Sequence, residues 1–219
     1  WAEFVQRTNS ELVAGWGNLV NRTATMIAKS FGAIPEAGEL EPVDEQVLGA
    51  VRDGFDSVGA LIERHRQRAA IAEAMRVVGE VNRYLTATEP YKMKADEQRP
   101  RLATVLHVAA QCVVDCNTIL SPFLPHSSNK IWTTLGGTGE FMPMPRVDQV
   151  DELDPEDGAG LRVYPVITGD YSATPAWASR PVIVGATVAL PSPIFTKLDP
   201  SVVDQEVARL AHTSGPEQA

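Results

Sequence analysis

Apolar residues recur at three- and four-residue steps through most of the first 137 positions, the spacing of one face of an α-helix. Polar residues fill the intervening positions, so each helix has one apolar side to bury. The pattern predicts five helices, over about residues 12–31, 44–62, 68–88, 100–120 and 125–135. Because mostly short connections join them, we expect a mainly α fold built on an antiparallel helix bundle.

Residues with special backbone preferences set the expected helix ends. Gly32 ends the first helix, and Asp44 stands where the N-cap of the second belongs. Pro90 ends the third helix, because a residue before proline is pushed out of the helical region. In that third helix the period turns four apolar residues inward: Ile71, Met75, Val78 and Leu85.

Beyond residue 137 the helical period is lost and prolines become frequent. Two short runs, 163–167 and 182–184, are strand-like, and a weak helix is expected over 201–210. The sequence therefore predicts three parts: a bundle over 1–137, an irregular extension with a short terminal helix over 138–210, and a disordered tail over 211–219. Such an extension is too irregular to hold its own core, so we expect it to pack on the bundle or on another domain.

Charge is unevenly distributed. The whole chain carries −9, yet residues 61–101 hold nine basic and six acidic side chains. A local basic surface can attract a polyanion even on an acidic protein, because salt screens charges beyond about 8–10 Å. A solvated helix face explains the same arginines more simply, and composition alone favours that interpretation.

Motifs for catalysis or metal binding are not found. Cys112 and Cys116 lie one helical turn apart without two further ligands, which is typical of buried reduced thiols. There is no phosphate-binding glycine loop and no Gly-x-Ser-x-Gly elbow. No apolar run reaches the roughly 20 residues of a membrane span, and the first residues do not form a secretory signal. We therefore expect a cytoplasmic chain without catalytic or metal-binding residues, and with neither a membrane nor DNA as partner.

Four collinear stretches carry a family resemblance. The first includes Asn18-Leu19-Val20-Asn21-Arg22, the second Asn82-Arg83-Tyr84-Leu85 with Glu89-Pro90-Tyr91, the third Leu120-Ser121-Pro122-Phe123-Leu124-Pro125 with Lys130-Ile131-Trp132, and the fourth Pro193-Ile194-Phe195-Thr196-Lys197. In this order the chain resembles the C-terminal, anticodon-binding half of bacterial methionyl-tRNA synthetases, which are class I aminoacyl-tRNA synthetases. Lys92-Met93-Lys94 only superficially echoes that class's catalytic Lys-Met-Ser-Lys-Ser sequence and is not assigned a catalytic role.

The resemblance implies a function and a set of site residues. In the family the CAU anticodon of methionine tRNA is read where the first helix meets the end of the third. Carried over, the anticodon-binding residues are Asn18, Arg22, Pro90 and Tyr91, with Lys197 added where some relatives have Arg. The family usually has Trp in place of Tyr91, so stacking area is smaller here.

The same resemblance places the chemistry elsewhere. The catalytic half, which uses ATP with magnesium and methionine, is not in this chain, so the chain alone is expected to be inactive. Its implied partners are the anticodon stem-loop of methionine tRNA and the catalytic domain of the same enzyme. Two alternatives remain open: a non-catalytic helical scaffold that binds protein, and the anticodon-binding domain of a sister class I synthetase.

Overall fold

The computed structural model describes residues 1–144, 146–153, 161–169 and 176–213. Its α-helices are α1 (Ala2–Arg7), α2 (Asn18–Ser30), α3 (Pro42–Glu63), α4 (Gln67–Thr88), α5 (Arg99–Leu120), α6 (Pro125–Thr134) and α7 (Val202–Thr213). A π-helical segment, Thr8–Gly17, joins α1 to α2, and 3₁₀ turns cover Pro90–Lys92 and Asp96–Gln98. Two strands, β1 (Arg146–Leu153) and β2 (Leu161–Thr168), form an antiparallel hairpin. The mainly α prediction is confirmed.

Helix α5 lies at the centre of the bundle, in contact with α2, α3, α4 and α6. Apolar residues surround most of its circumference, and nearly all of its side chains from Leu102 onward are buried. By length and composition the stretch Asp96–Leu120 could cross a membrane, but 83% of its most apolar window is buried inside the bundle. That burial is what the core helix of a bundle requires.

The first predicted helix is continuous, but about a third of it has a different hydrogen-bond pattern. Thr8–Gly17 is π-helical, with wider turns than the α-helix that the three- and four-residue spacing predicts. Contacts from outside act on this stretch, since Asn82 Nδ2 donates to the Gly15 carbonyl at 3.4 Å and Asn9 bonds to Leu198. The π-helical segment is thus the part of this helix that bonds to α4 and to the extension.

The prediction that Asp44 is the N-cap of α3 is wrong. Asp44 is the third residue of this helix. The N-cap is Glu41, whose N–H donates to the Asp44 carboxylate at 2.9 Å in a capping box. The same carboxylate is fully buried and accepts from the Tyr84 hydroxyl at 2.5 Å and from Arg101 at 2.5 and 2.9 Å. Burial raises the pKa of Asp44, but the bonds from Arg101 and Tyr84 outweigh it and leave this pKa below its ordinary value. Asp44 thereby links α3, α4 and α5.

The prediction that Ile71 faces the core from α4 is wrong. Val78 and Leu85 are buried and Met75 packs against the core, but Ile71 is 41% exposed. At this end of the helix the inward face is made by Ala70 and Ala74 on either side of Ile71. The small alanines allow close packing there, so Ile71 lies at the edge of the buried face of α4.

The extension contains one of the two predicted strands. Residues 163–167 lie within β2, whereas 182–184 form no strand and β1 was not predicted. Instead of a ladder, the chain after Val182 makes a single bridge, Ala33↔Thr187, to the linker that follows α2. The Ile34 N–H donates to the Ala186 carbonyl at 3.0 Å, and Gly185 has a φ of +79° that ends any extended run.

Further contacts connect the extension to the bundle. Trp177 Nε1 donates to the Phe55 carbonyl at 2.9 Å, and the Ser179 hydroxyl donates to the Asp115 carboxylate at 2.9 Å. Burial raises the pKa of Asp115 despite these donors. The last helix, α7, continues to Thr213, three residues past the predicted end, and residues 214–219 of the predicted tail lie outside the described residues.

Candidate nucleic-acid interface

A cavity of about 500 Å³ opens between α2 and the turn that follows α4. Helix α2 lines it with polar and apolar side chains at positions 18, 21, 22, 25 and 26, and Tyr91 closes the opposite side. Those positions follow the i, i+3, i+4, i+7 spacing, so they share one face of α2. An amide pair, a guanidinium and an aromatic ring therefore face the same space.

A second cavity of about 320 Å³ adjoins the first and shares Asn18 and Asn21 with it. Its remaining walls come from the π-helical segment and from residues 193–197 of the extension, including Lys197. The two cavities together are called the α2 groove below. Its floor is helical, and its rim carries two cations, Arg22 and Lys197.

The position of Tyr91 follows from the backbone before it. Glu89 ends α4 in the left-handed region, with a φ of +45°, and Pro90 is buried at the start of a 3₁₀ turn. The turn directs the Tyr91 ring outward, where it is 52% exposed. The Tyr91 hydroxyl donates to Glu89 Oε1 at 3.1 Å, and Lys92 Nζ lies 2.7 Å from the same oxygen. Hydrogen bonds from Lys92 and Tyr91 lower the pKa of Glu89.

Contacts from three bundle residues hold residues 193–199, here called the Pro-Ile-Phe segment, against the bundle. Asn9 Nδ2 donates to the Leu198 carbonyl and the Leu198 N–H donates to Asn9 Oδ1, both at 2.8 Å. Lys130 Nζ donates to the Pro193 carbonyl at 3.0 Å. Phe195 packs on Gly17 so closely that a Cβ there would lie 2.9 Å from the ring. A glycine is therefore required for this packing, which brings Lys197 to the groove.

The predicted site residues lie close together, although they come from three distant parts of the chain. Asn18, Arg22 and Tyr91 line the larger cavity, and Lys197 lines the smaller one beside Asn18. Pro90 lines neither cavity but is buried beneath the turn that orients Tyr91. Its position is thus that of a support for the neighbouring ring.

Asn21 is the main groove residue that the sequence analysis did not select. It lines both cavities, and its Oδ1 is buried without a hydrogen-bond partner among the described residues. A buried amide oxygen without a donor is costly, so native structures seldom keep one without a reason. The helical spacing from Asn18 would have identified this position, since residues three apart share a face.

The groove contains the chemical groups that bind unstacked bases. Amides present donors and acceptors to base edges, a guanidinium presents a rigid set of donors, and an exposed ring offers a stacking surface. Within the described ranges no group of three or more His, Cys, Asp or Glu residues is placed to hold a metal ion. Its residues are therefore suited to recognition of single-stranded nucleic acid.

Comparisons with known proteins agree with this geometry. A family model described as the anticodon-binding domain of tRNA ligase matches residues 44–161, more than half of the chain. The methionine–tRNA ligase of Nocardioides sp. is 60% identical over 96% of this chain, and that of Beutenbergia cavernae is 57% identical over the same share. The chain spans about a third (34%) of the length of each relative.

A solved structure shares the fold. The apo methionyl-tRNA synthetase of Mycobacterium tuberculosis matches 90% of this chain with a TM-score of 0.68 and 20% identity, and the match covers 34% of that protein. The family match includes Pro90 and Tyr91, whereas Asn18, Arg22 and Lys197 lie outside it. From the match over residues 44–161, this chain belongs to the family of anticodon-binding domains of tRNA ligases.

Proposed function

We propose that this chain is the anticodon-binding part of a methionine–tRNA ligase and that the α2 groove reads the CAU anticodon. The observation that carries the proposal is the exposed Tyr91 ring facing Asn18 and Arg22 across one cavity. Identity of 50–60% to ligases named for methionine supports the choice of amino acid. The groove, with cavities of about 500 and 320 Å³, lies where α4 ends, so an RNA loop can approach it from outside the bundle.

Asn18 and Arg22 supply the base-edge contacts. They are four residues apart, so they project side by side from α2. The Asn18 amide can give one donor and one acceptor to a single base, and the Arg22 guanidinium can give two parallel donors. Such paired hydrogen bonds distinguish bases because a wrong base leaves polar groups unpaired.

Tyr91 supplies a stacking surface, and Lys197 supplies charge. Stacking of a base on an aromatic side chain contributes about 1–3 kcal/mol, and the buried Pro90 reduces the freedom of the turn that carries the ring. Lys197 stands beside Asn18 in the adjoining cavity, where a cation attracts the phosphate next to a bound base. Base reading and backbone attraction are thus divided between the two cavities.

In the complete cytoplasmic ligase, methionine and ATP with magnesium give methionyl-adenylate in a separate catalytic domain, and the methionyl group then passes to the tRNA. This chain contributes by holding the anticodon end so that the acceptor end reaches the distant active site. Its groove residues bind and orient RNA and carry out no bond-breaking step. The chain alone therefore binds tRNA without charging it.

The test is binding of this chain to methionine tRNA and to the same tRNA with one anticodon base changed, at two salt concentrations. Tyr91→Ala should weaken binding by about 5- to 150-fold, equivalent to about 1–3 kcal/mol of lost stacking. Tyr91→Phe keeps the ring and should bind within a few-fold of the unaltered chain. Phe4→Ala is the matched control, since Phe4 is 55% exposed and lies outside the groove.

Arg22→Ala separates base reading from charge. If Arg22 reads a base, its loss should reduce the preference for CAU over the altered anticodon. An equal loss of affinity for both tRNAs would instead assign Arg22 to a phosphate. Equal binding of both tRNAs by the unaltered chain would contradict the proposed function itself.

A further inference from the structure

We infer that Arg64, Arg66 and Arg68, here called the arginine turn, bind the phosphate backbone of the stem of the same RNA whose loop enters the α2 groove. The inference rests on the proposed function, because it takes the RNA in that groove as its starting point. It adds a second contact surface at the other end of α4, one that no comparison assigns. The contact is to phosphates and carries no sequence preference.

Most other cations of residues 61–101 have a partner, and these three arginines form the cluster that does not. Lys94 also has no carboxylate partner among the described residues, but it stands alone in the sequence. Carboxylates neutralise four of those cations: Arg76, Arg83, Lys92 and Arg101. Arg99 lies over the Phe31 ring at 4.7 Å. By contrast, Arg64, Arg66 and Arg68 have no carboxylate partner within the described part of the chain. Three uncompensated charges within five residues are notable in a chain of net charge −9.

The local backbone exposes these charges. Helix α3 ends at Glu63 and α4 begins at Gln67, and His65 makes the turn between them with a φ of +58°. All three arginines are exposed. Side chains of the turn, Arg66 and Arg68 among them, line an open depression of about 680 Å³. Its remaining wall is Ala69 and Ala72, whose small side chains leave room for a phosphate backbone to approach.

Nearby acidic groups do not cancel this charge. Glu73, one turn further along α4, is held by Arg76 at 2.7 Å and accepts from the Ser57 hydroxyl at 2.8 Å. Glu63 is the one acidic residue directly beside the turn in the sequence. The arginine turn therefore remains net positive, and among the described residues it is where unpaired cations of the basic stretch cluster.

Position along α4 connects the turn to the groove. Arg68 lies on the same stripe as Met75 and Asn82, since the steps between them are seven residues, or two turns. Met75 and Asn82 both contact Gly15, so this stripe faces the π-helical segment that leads into α2. The groove lies at the other end of this stripe, where Tyr91 follows the end of α4. Arg68 and Thr88 are 20 residues apart in the helix, about 30 Å.

That separation suits two parts of one hairpin RNA. A single-stranded loop in the groove continues into a base-paired stem. A stem that runs along this stripe of α4 brings its phosphates to the arginine turn. Each phosphate contact releases condensed counterions, so it adds roughly 0.7–0.9 to the slope of log affinity against log salt. The inference therefore predicts a change in salt dependence without a change in anticodon preference.

The experiment measures binding of two RNA hairpins that share a CAU loop, one with a stem long enough to reach the turn and one with a truncated stem. The double variant R66Q/R68Q is compared with R76Q/R83Q, which removes the same charge from carboxylate-paired arginines of the same helix. On the long stem, R66Q/R68Q should lower the salt slope by roughly 1–2 and weaken binding at low salt. On the truncated stem it should match the unaltered chain, and R66K/R68K should restore binding to the long stem.

Four outcomes would overturn the inference. They are an unchanged salt slope with R66Q/R68Q, equal losses on both stems, an equal loss with R76Q/R83Q, and failure of R66K/R68K to restore binding. If the unaltered chain prefers CAU while any of these holds, only the arginine turn is refuted. If the unaltered chain does not prefer CAU, the proposed function fails first. Thermal unfolding of each variant checks that a lost contact, and not a lost fold, is being measured.

Discussion

The attachment of the Pro-Ile-Phe segment depends on Asn9, and Asn9→Ala tests how much. The Asn9 side chain makes two reciprocal bonds to the Leu198 backbone, each of 2.8 Å and part-buried. Alanine removes both. Phe195 and Lys130 still hold the other end of the segment, so we expect local release around Lys197 and no loss of the global fold.

The magnitude follows from the two bonds. A typical intramolecular hydrogen bond contributes about 0.5–1.5 kcal/mol net, so the free energy of local opening should fall by about 1–3 kcal/mol. When opening and closing are fast relative to cleavage, proteolysis follows the population of the open form. The expected acceleration is therefore about 5- to 150-fold.

Trypsin provides the assay, because it cleaves after Lys197, which is exposed beside Leu198. The rate of that single cut is followed by mass spectrometry at low enzyme concentration. Ser10→Ala is the control, since among the described residues the Ser10 hydroxyl bonds to the Gln6 carbonyl in the same helical stretch and not to the segment. Equal cleavage rates for Asn9→Ala and the unaltered chain would refute the view that this amide anchors the segment.

Three further predictions concern buried polar groups. Tyr84→Phe removes the donor to Asp44 and should lower the free energy of unfolding by about 1–3 kcal/mol in urea titrations; an unchanged midpoint would contradict this. Asp44→Asn should lower the free energy of unfolding most near neutral pH. The pKa of Asp44 is lower in the folded chain, so the ionised carboxylate stabilises the fold above its ordinary pKa of 3.8, and this stabilisation is lost as the pH falls through the folded pKa. A difference in unfolding free energy that does not change with pH would contradict this linkage. Asn21→Ala removes an acceptor that has no partner within the described residues, so RNA affinity should fall while the melting temperature stays unchanged or rises; a large drop in melting temperature would show that Oδ1 is satisfied.

Helix positions were predictable because burial of one face imposes a period on the sequence. The periods of α4 and α5 locate those helices to within one residue of the observed starts. The start of α3 was harder, since several acidic residues precede it and either Glu41 or Asp44 can cap a helix. Only the structure shows that Asp44 is buried against Tyr84 and Arg101.

The groove was predictable in part and for a different reason. Family resemblance, not spacing, pointed to Asn18, Arg22 and Tyr91, because a polar helix face looks the same whether it meets RNA or water. Lys197 lies far along the chain from Asn18, and its approach depends on the Asn9 and Gly17 contacts. Such long-range contacts leave no local period. The β-branched run at 182–184 forms no strand for a similar reason: strand formation needs a pairing segment, and no described segment pairs with this run.

The π-helical stretch Thr8–Gly17 has a consequence for how the length of this protein can vary. A turn closed by i→i+5 bonds holds one more residue than a turn closed by i→i+4 bonds. Loss of one residue there can be absorbed by tightening the turn, so the flanking helices keep their relative phase. The same loss within α2, between Asn18 and Arg22, would rotate every later side chain by about 100°. We therefore expect the fold to tolerate single-residue deletions within the π-helical segment but not within α2.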